Sequence, residues 1–139
     1  MRQRASRTKP SARRGRPAAS RSSTRRGWGA ATKTTYNGDL YDSKSEARYA
    51  EYLDSRLDAG EIARWERQIR VRLEVGGKLI CTIVVDFLVW DLNNRPIYTE
   101  VKGHETPVWR IKKRLFEALH PEATYVVVPS KDALNARLV

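Results

Sequence analysis

An apolar run from Leu79 to Trp90 constrains the fold more than any other part of the chain, because only Thr82 and Asp86 interrupt it. The run is too short to span a membrane, which takes about 20 apolar residues. It follows Gly76-Gly77, a typical two-residue hairpin turn. The run therefore predicts a strand that is covered on both faces, inside the sheet of a globular domain.

The segments around this strand follow helical and strand periodicities in turn. Asn37-Gly38-Asp39 predicts a tight turn, and Asp42-Ser43 a helix start. The predicted elements are a helix from about 43 to 58, a short element around 62–65, strands over 68–75, 78–90 and 97–102, a helix from Thr106 to about 119, a strand over 123–128, and a last short helix capped by Ser130. The order α-β-β-β-α-β predicts an α/β fold with a small mixed sheet of four or more strands flanked by helices.

The charges are distributed very unevenly along the chain. Residues 1–33 hold eleven of the 27 Lys and Arg and no Asp or Glu, whereas residues 34–139 hold sixteen charges of each sign. The Arg- and Ser-rich first segment has almost nothing to bury, which predicts a disordered arm over 1–33 and a folded domain over 34–139. Such an arm typically binds a polyanion, nucleic acid first. The arm residues expected to contact it include Arg13, Arg14, Arg25 and Arg26. An organelle-targeting peptide has a similar composition and is the alternative.

Cysteine content and hydropathy exclude several classes of protein. The single cysteine, Cys81, excludes an internal disulfide framework and any zinc site built on several cysteines. No segment has the length of a membrane span or the apolar stretch of a secretory signal. We therefore expect a cytoplasmic protein without a membrane partner.

Asp86, Glu100 and Lys102 are the residues that suggest chemistry. Asp86 is the one charge in the apolar run, where an isolated carboxylate is costly. Glu100 and Lys102 lie two positions apart on the next strand and so share a face. A register that pairs Asp86 with Glu100 brings two carboxylates together, which is destabilising unless a cation lies between them. This predicts a Mg²⁺ (or Mn²⁺) site for phosphodiester hydrolysis. The alternative is an ordinary charge pair on a solvated strand face.

These residues and their surroundings resemble the PD-(D/E)XK nuclease superfamily. The stretches that carry the resemblance are 41–49, 85–87, 100–103 and 106–113, with Val85 at the position of the proline in the superfamily's name. They look closer still to a phage and prophage family described only as a domain of unknown function within that superfamily. Similar small nucleases include the phage endonuclease I-type Holliday-junction resolvases. The resemblance implies a restriction-endonuclease-like fold, Mg²⁺ binding by Asp86 and Glu100, catalysis by Lys102, and Glu46 as an acid on the first helix.

Other candidate residues also have ordinary structural explanations. Ser43 and Glu46 form the pattern of a capping box, which accounts for Glu46 without catalysis. Gln68 opens a strand and His104 follows the third strand, and both are more often bystanders than site residues.

The second predicted helix combines an apolar and a basic stripe. Arg110, Lys113 and Arg114 are expected on its outer face, where charged residues are normal but where a phosphate-binding track one loop beyond Lys102 is also favoured. The residues expected to face the core are Val108, Ile111, Leu115, Ala118 and Leu119.

These features together predict a Mg²⁺-dependent endonuclease that hydrolyses DNA, acts on branched DNA if the resolvase resemblance extends to the substrate, and works in a bacterial host cytoplasm if it is phage-derived. The residues do not distinguish DNA from RNA. A small domain with one site needs a homodimer to cut two strands symmetrically. The alternative function is a non-catalytic nucleic-acid-binding protein that retains a nuclease fold.

Overall fold

The structure is a computed structural model that describes residues 32–135. The predictions for residues 1–31, including DNA contacts by Arg13, Arg14, Arg25 and Arg26, lie outside the described residues. The elements in chain order are β1 (Thr34–Tyr36), β2 (Asp39–Tyr41), α1 (Lys44–Asp58), β3 (Arg64–Val75), β4 (Lys78–Trp90), β5 (Pro96–Lys102), α2 (Pro107–Leu119), β6 (Thr124–Pro129) and α3 (Ser130–Leu134).

The predicted α/β fold is confirmed, with a four-stranded mixed sheet in the order β3-β4-β5-β6. β3, β4 and β5 are antiparallel neighbours, and β6 pairs with β5 in parallel. One core cluster joins α1 and α3 to one face of the sheet through Leu53 and Ala133. A second cluster forms around Phe116 of α2 and contains Leu73 and Ile83 of the sheet. Helices therefore flank the sheet on both sides.

An N-terminal hairpin precedes this sheet, and the sequence predicted only its turn. Asn37 and Gly38 have φ angles of 48° and 84°, as a tight hairpin turn requires, and three-residue strands flank them. The Tyr36 hydroxyl donates to Asp54 of α1 at 2.8 Å, and the Trp65 indole N–H of β3 donates to the same carboxylate at 3.0 Å. One carboxylate thus ties the hairpin, α1 and the main sheet together.

Two predicted element boundaries were wrong. The short element around 62–65 is not separate, because β3 already begins at Arg64 and pairs with Trp90 there. Ser130 is the first residue of α3 and not its cap. Pro129 occupies the N-cap position with a φ of −59°, and no side chain caps this helix.

The strand β4 is covered on both faces only in its second half. Phe87, Leu88 and Val89 are buried, but Ile80 is 58% exposed and Val84 36% exposed, so the prediction for the whole run was wrong. The reason is topological. β5 pairs only with the part of β4 from Phe87 to Trp90, and the preceding residues of β4 pair with β3 alone.

The two long strands also exchange faces at one point. Phe87 packs in the cluster with α1, whereas Val85, two residues earlier, packs with Phe116 of α2. Residues two apart normally share a face. The reversal falls at Asp86, and the position opposite it in the register is Gln68, which has a φ of 55°. The left-handed backbone at Gln68 is the local irregularity that accompanies the reversal.

The helix α2 is rotated relative to the prediction. Its buried residues are Trp109 and Phe116, while Val108 and Ile111 are 63% and 66% exposed and Ala118 is exposed. Of the predicted core-facing residues, only Leu115 and Leu119 pack against the second cluster. Lys113, predicted on the outer face, instead lies over the Tyr125 ring at 5.3 Å. Both stripes have helical spacing, and the one with two large aromatic side chains buries more apolar surface.

The rotation of α2 predicts a contrast between two substitutions. Phe116→Ala should lower the free energy of unfolding by about 3–5 kcal/mol, because it empties the centre of the second core cluster. Ile111→Ala should change it by less than about 0.5 kcal/mol, because the side chain is exposed. Urea unfolding measures both. A larger loss for Ile111→Ala than for Phe116→Ala would mean that the helix packs through the predicted face.

Candidate active site

The candidate site lies where β4 and β5 separate. The last ladder pair of these strands is Phe87 with Thr99, and continuing the register by one position sets Asp86 opposite Glu100. The ladder does not continue there. Instead, the Asp86 Oδ2 atom accepts a hydrogen bond of 2.8 Å from the backbone N–H of Val101. The carboxylate therefore occupies the opening between the two strands.

Asp86 is held in an environment that disfavours its charge. Burial raises the pKa of this carboxyl to about 7, and repulsion from Glu100 and Glu46 adds to the effect. The Val101 N–H and the Lys102 ammonium act in the opposite direction but are outweighed. Three carboxylates from α1, β4 and β5 are thus close enough to influence one another.

Glu100 and Lys102 form a largely buried pair on β5. Glu100 is only 4% exposed, and the Lys102 Nζ atom lies 2.9 Å from its Oε1 atom. The Lys102 ammonium also lies 5.0 Å from the centre of the Trp109 ring. The pair therefore does not lie on a solvated strand face, which was the ordinary explanation for this pattern.

Glu46 takes part in both the helix cap and the carboxylate group. Its backbone N–H donates to the Ser43 hydroxyl at 3.2 Å, and that hydroxyl lies 3.1 Å from the Glu46 carboxylate, to which it donates. Burial raises the pKa of Glu46, the Ser43 hydrogen bond lowers it, and Asp42 and Glu100 raise it further. The Ser43 half of the predicted capping box is present, whereas the Glu46 carboxylate is bound by the Ser43 hydroxyl and lies within electrostatic reach of Glu100.

Three residues that the sequence did not single out complete this environment. The Tyr125 hydroxyl of β6 donates to Glu100 Oε2 at 3.4 Å, and burial followed by repulsion from Glu100 raises the pKa of Tyr125. Trp109 lies beneath Lys102. The Lys112 ammonium donates to the Thr82 carbonyl at 2.9 Å, across the gap that β5 leaves beside β4. Only the three-residue spacing of Trp109 and Lys112 on one helix could have pointed to this pair.

A groove opens beside Glu100 and Lys102 between β4 and α2. Thr82 and Val84 line one side of it, and Val108 and Lys112 line the other. The groove combines two ammonium groups, those of Lys102 and Lys112, with apolar walls. It can accept an anionic group that also carries an apolar part.

The other predicted site residues are exposed or already paired, and Gln68 is the one that lies opposite Asp86 in the register. Gln68 and His104 are exposed, and neither forms a side-chain hydrogen bond within the described part of the chain. Arg110 pairs with Glu105 at 3.1 Å, and Lys113 pairs with Glu117. Arg114 is exposed and lines a second cleft with these residues.

The basic arm joins the domain close to the carboxylates. Thr34 pairs with Tyr41, and the Lys33 ammonium lies 3.8 Å from the Asp42 carboxylate. Glu46 follows Tyr41 by only five residues. The chain that follows the arm therefore enters the fold beside the N-terminus of α1.

Comparison with known protein families assigns the chain to one of them. A family model described as a protein of unknown function, DUF1064, matches residues 26–132. The chain belongs to the DUF1064 family. No curated protein and no solved structure matched the chain significantly. The match covers β1 to α3 up to Asp132 and therefore includes Glu46, Asp86, Glu100 and Lys102 of this DUF1064 protein. None of its helices over 32–135 is long and apolar enough to cross a membrane.

The raised pKa of Asp86 predicts a pH-dependent stability. Because the folded-state pKa is about 7 against an ordinary 3.8, the folded protein binds more protons than the unfolded chain between those values. The free energy of unfolding should therefore fall as pH rises through that window. Asp86→Asn removes the charge and keeps an acceptor for the Val101 N–H. In EDTA the variant should be more stable than the parent by about 2–4 kcal/mol at pH 8 and show no such gain at pH 4.

Urea unfolding of both proteins across this pH range measures the difference directly, since titrating groups that do not interact with Asp86 cancel. A variant that is no more stable than its parent at pH 8 would show that Asp86 is not strained by its neighbours.

Proposed function

We propose that this DUF1064 protein is a metal-dependent endonuclease that hydrolyses phosphodiester bonds of DNA. One observation carries the proposal, namely the convergence of Asp86 and Glu100 beside the Lys102 ammonium where β4 and β5 separate, with Glu46 of α1 within electrostatic reach of both carboxylates. Clustered carboxylates with a raised pKa are costly for stability, and such groups are typical of functional sites.

The donor set fits a hard divalent cation held by few protein ligands. Within residues 32–135 no group of three or more His, Cys, Asp or Glu side chains is arranged as a ready metal cage. Mg²⁺ does not need one, since it is commonly held by one or two carboxylates and otherwise by water and substrate phosphate. Asp86 and Glu100 would hold Mg²⁺ or Mn²⁺ here, and the bound cation would neutralise phosphate charge and acidify a water molecule.

The chain's own residues can supply the remaining requirements of hydrolysis. The reaction forms a bond from water oxygen to phosphorus and breaks the bond from phosphorus to a sugar oxygen. Glu46, with its pKa raised by burial, is suited to take the proton of the attacking water. Lys102 is suited to stabilise the charge that develops on the phosphate oxygens, and Trp109 beneath it limits the positions it can take.

The arrangement of the core supports kinship with the PD-(D/E)XK superfamily. The order α1-β3-β4-β5-α2-β6 follows that of the superfamily, with Asp86 on the second of these strands and Glu-x-Lys on the third. We extend the proposal to a phage-derived enzyme of the bacterial cytoplasm that acts on branched DNA as a homodimer. A panel of labelled linear and branched DNAs, with Mg²⁺ or with EDTA, tests the activity and its substrate. Binding without cleavage of any of them would favour the non-catalytic alternative.

Lys102 provides a test that separates chemistry from binding. Lys102→Ala should lower the cleavage rate by about 10²–10³-fold, because the ammonium acts on charge that develops in the transition state. The dissociation constant for DNA in EDTA should change by less than about twofold, since only one of many cations is removed. Gel-based cleavage and fluorescence anisotropy measure the two quantities.

Lys131→Ala on the exposed surface of α3 is the matched control and should cleave like the parent. Thermal melting checks that Lys102→Ala is folded, because the substitution removes the cation that pairs with Glu100. Equal losses of binding and cleavage in a folded variant would make Lys102 a phosphate anchor and not a catalytic residue.

The arm provides a second test, of the DNA-binding part of the proposal. Removal of residues 1–31 takes away ten basic residues and leaves β1 intact. If half of them bind phosphates, the slope of log affinity against log salt should flatten by about 4.5 units. The truncated protein should still cleave at low salt. An unchanged slope would assign the arm to another purpose, such as targeting.

A further inference from the structure

Beyond the site, the hairpin of β3 and β4 extends past the rest of the sheet. We call residues 69–75 of β3 and 78–85 of β4 the distal hairpin, since β5 pairs with β4 only from Phe87 onward. At about 3.4 Å per residue the seven residues of β3 reach about 24 Å from the reversal at Asp86. A ribbon of two strands thus projects from the edge of the candidate site.

The two faces of the distal hairpin differ in what covers them. Leu73, Ile83 and Val85 face α2 and pack in the cluster of Phe116. The opposite face, called here the outer face, carries Arg70 paired with Val84 and Arg72 paired with Thr82. Arg70, Arg72 and Val84 are exposed and Thr82 is partly so. No described helix packs over Arg70 and Arg72. Thr82 and Val84 meet α2 along the open edge of β4, where the Lys112 ammonium donates to the Thr82 carbonyl.

The outer face is positively charged and only lightly neutralised. Arg72 is 67% exposed and pairs with Glu74 at 2.9 Å, an interaction that solvent weakens. Arg70 has no acidic partner within the described residues. Lys78 adds a further exposed cation at the hairpin turn. A ribbon with guanidinium groups on one exposed face complements a polyanion.

We propose that the distal hairpin docks in the major groove of duplex DNA, with Arg70 and Arg72 against backbone phosphates and Thr82 and Val84 toward base edges. This inference rests on the proposed nuclease function in one respect, the choice of nucleic acid as the partner. The major groove of B-DNA is about 12 Å wide and admits a two-stranded ribbon. The deep, narrow major groove of an RNA duplex does not, which selects DNA.

The position of Asp86 links this docking to the candidate active site. Asp86 lies at the base of the same hairpin, where the strands exchange faces. A duplex that receives the ribbon in its groove therefore presents one of its phosphate backbones at the base, beside the carboxylates. The hairpin would fix the position of the duplex, whereas the basic arm supplies affinity without position.

The test uses the full chain in EDTA, so that cleavage plays no part. Arg70→Gln/Arg72→Gln removes two outer-face charges, and Arg56→Gln/Arg95→Gln removes two from ion pairs elsewhere on the surface. The first variant should flatten the slope of log affinity against log salt by about 1.8 units on a labelled DNA duplex, at about 0.9 for each phosphate that is no longer neutralised. The control should keep the parental slope. The preference of the parent for a DNA duplex over an RNA duplex of the same sequence should disappear in the first variant alone.

The position of the duplex is mapped with a single introduced thiol, which is feasible because Cys81 is the one cysteine of the chain. In a Cys81→Ala background, a photoactivatable cross-linker on Thr82→Cys should attach to duplex DNA, and one on Asn93→Cys beyond the far end of β4 should not. An unchanged salt slope together with equal cross-linking from both positions would overturn the proposal.

Two further outcomes distinguish this inference from a dimer interface on the same face and from the proposed nuclease function. Disappearance of a concentration-dependent dimer in the arginine variant, with DNA binding intact, would overturn the proposal and assign the face to a second copy of the chain. Binding through the hairpin by a protein that never cleaves would refute the nuclease function and leave this inference standing.

Discussion

The backbone N–H of Val101 donates to Asp86 Oδ2 at the point where β5 leaves β4. Val101 is buried, and β5 has no ladder pair with β4 beyond Phe87 and Thr99. An unpaired N–H in this position would cost about 1–3 kcal/mol. The Asp86 side chain removes that cost in the opening between the two strands. The groove toward α2 and the distal hairpin both begin at this opening, and Glu46 lies within electrostatic reach of it.

Two partly buried carboxylates, those of Asp54 and Asp86, serve different ends. Asp54 accepts hydrogen bonds from Tyr36 and Trp65 and joins three elements. Asp86 accepts one backbone hydrogen bond, yet it lies near Glu100 and Glu46, so its charged form is disfavoured. A structural role alone would be served as well by a neutral acceptor. Asp86 keeps an ionisable carboxyl although its charged form is disfavoured, which is typical of a site that can hold a cation. Asp54, with its two hydrogen bonds, is a structural contact.

The sequence predicted those features that depend on neighbouring residues. Helix starts at Ser43 and Thr106 and the turn at Gly76-Gly77 are local signals, and the structure confirms them. The facing of α2 is not local, because two stripes with helical spacing compete and only packing against the sheet decides between them. Tyr125 reaches the site through β6 without any signal in the spacing of the chain, and Lys112 of α2 is indicated only by its three-residue spacing from Trp109. The charges of Asp86, Glu100 and Lys102 drew attention through their apolar surroundings, and their catalytic roles stay predictions.

The reversal of faces at Gln68 and Asp86 separates the hairpin into two parts that can vary independently. Side chains alternate with a period of two, so adding or removing two residues in each strand of the distal part preserves which side chains face α2. Such a change would leave the carboxylates untouched and alter only how far the ribbon extends. Proteins with this fold can therefore differ in how far the hairpin reaches while they keep the same carboxylate cluster at its base.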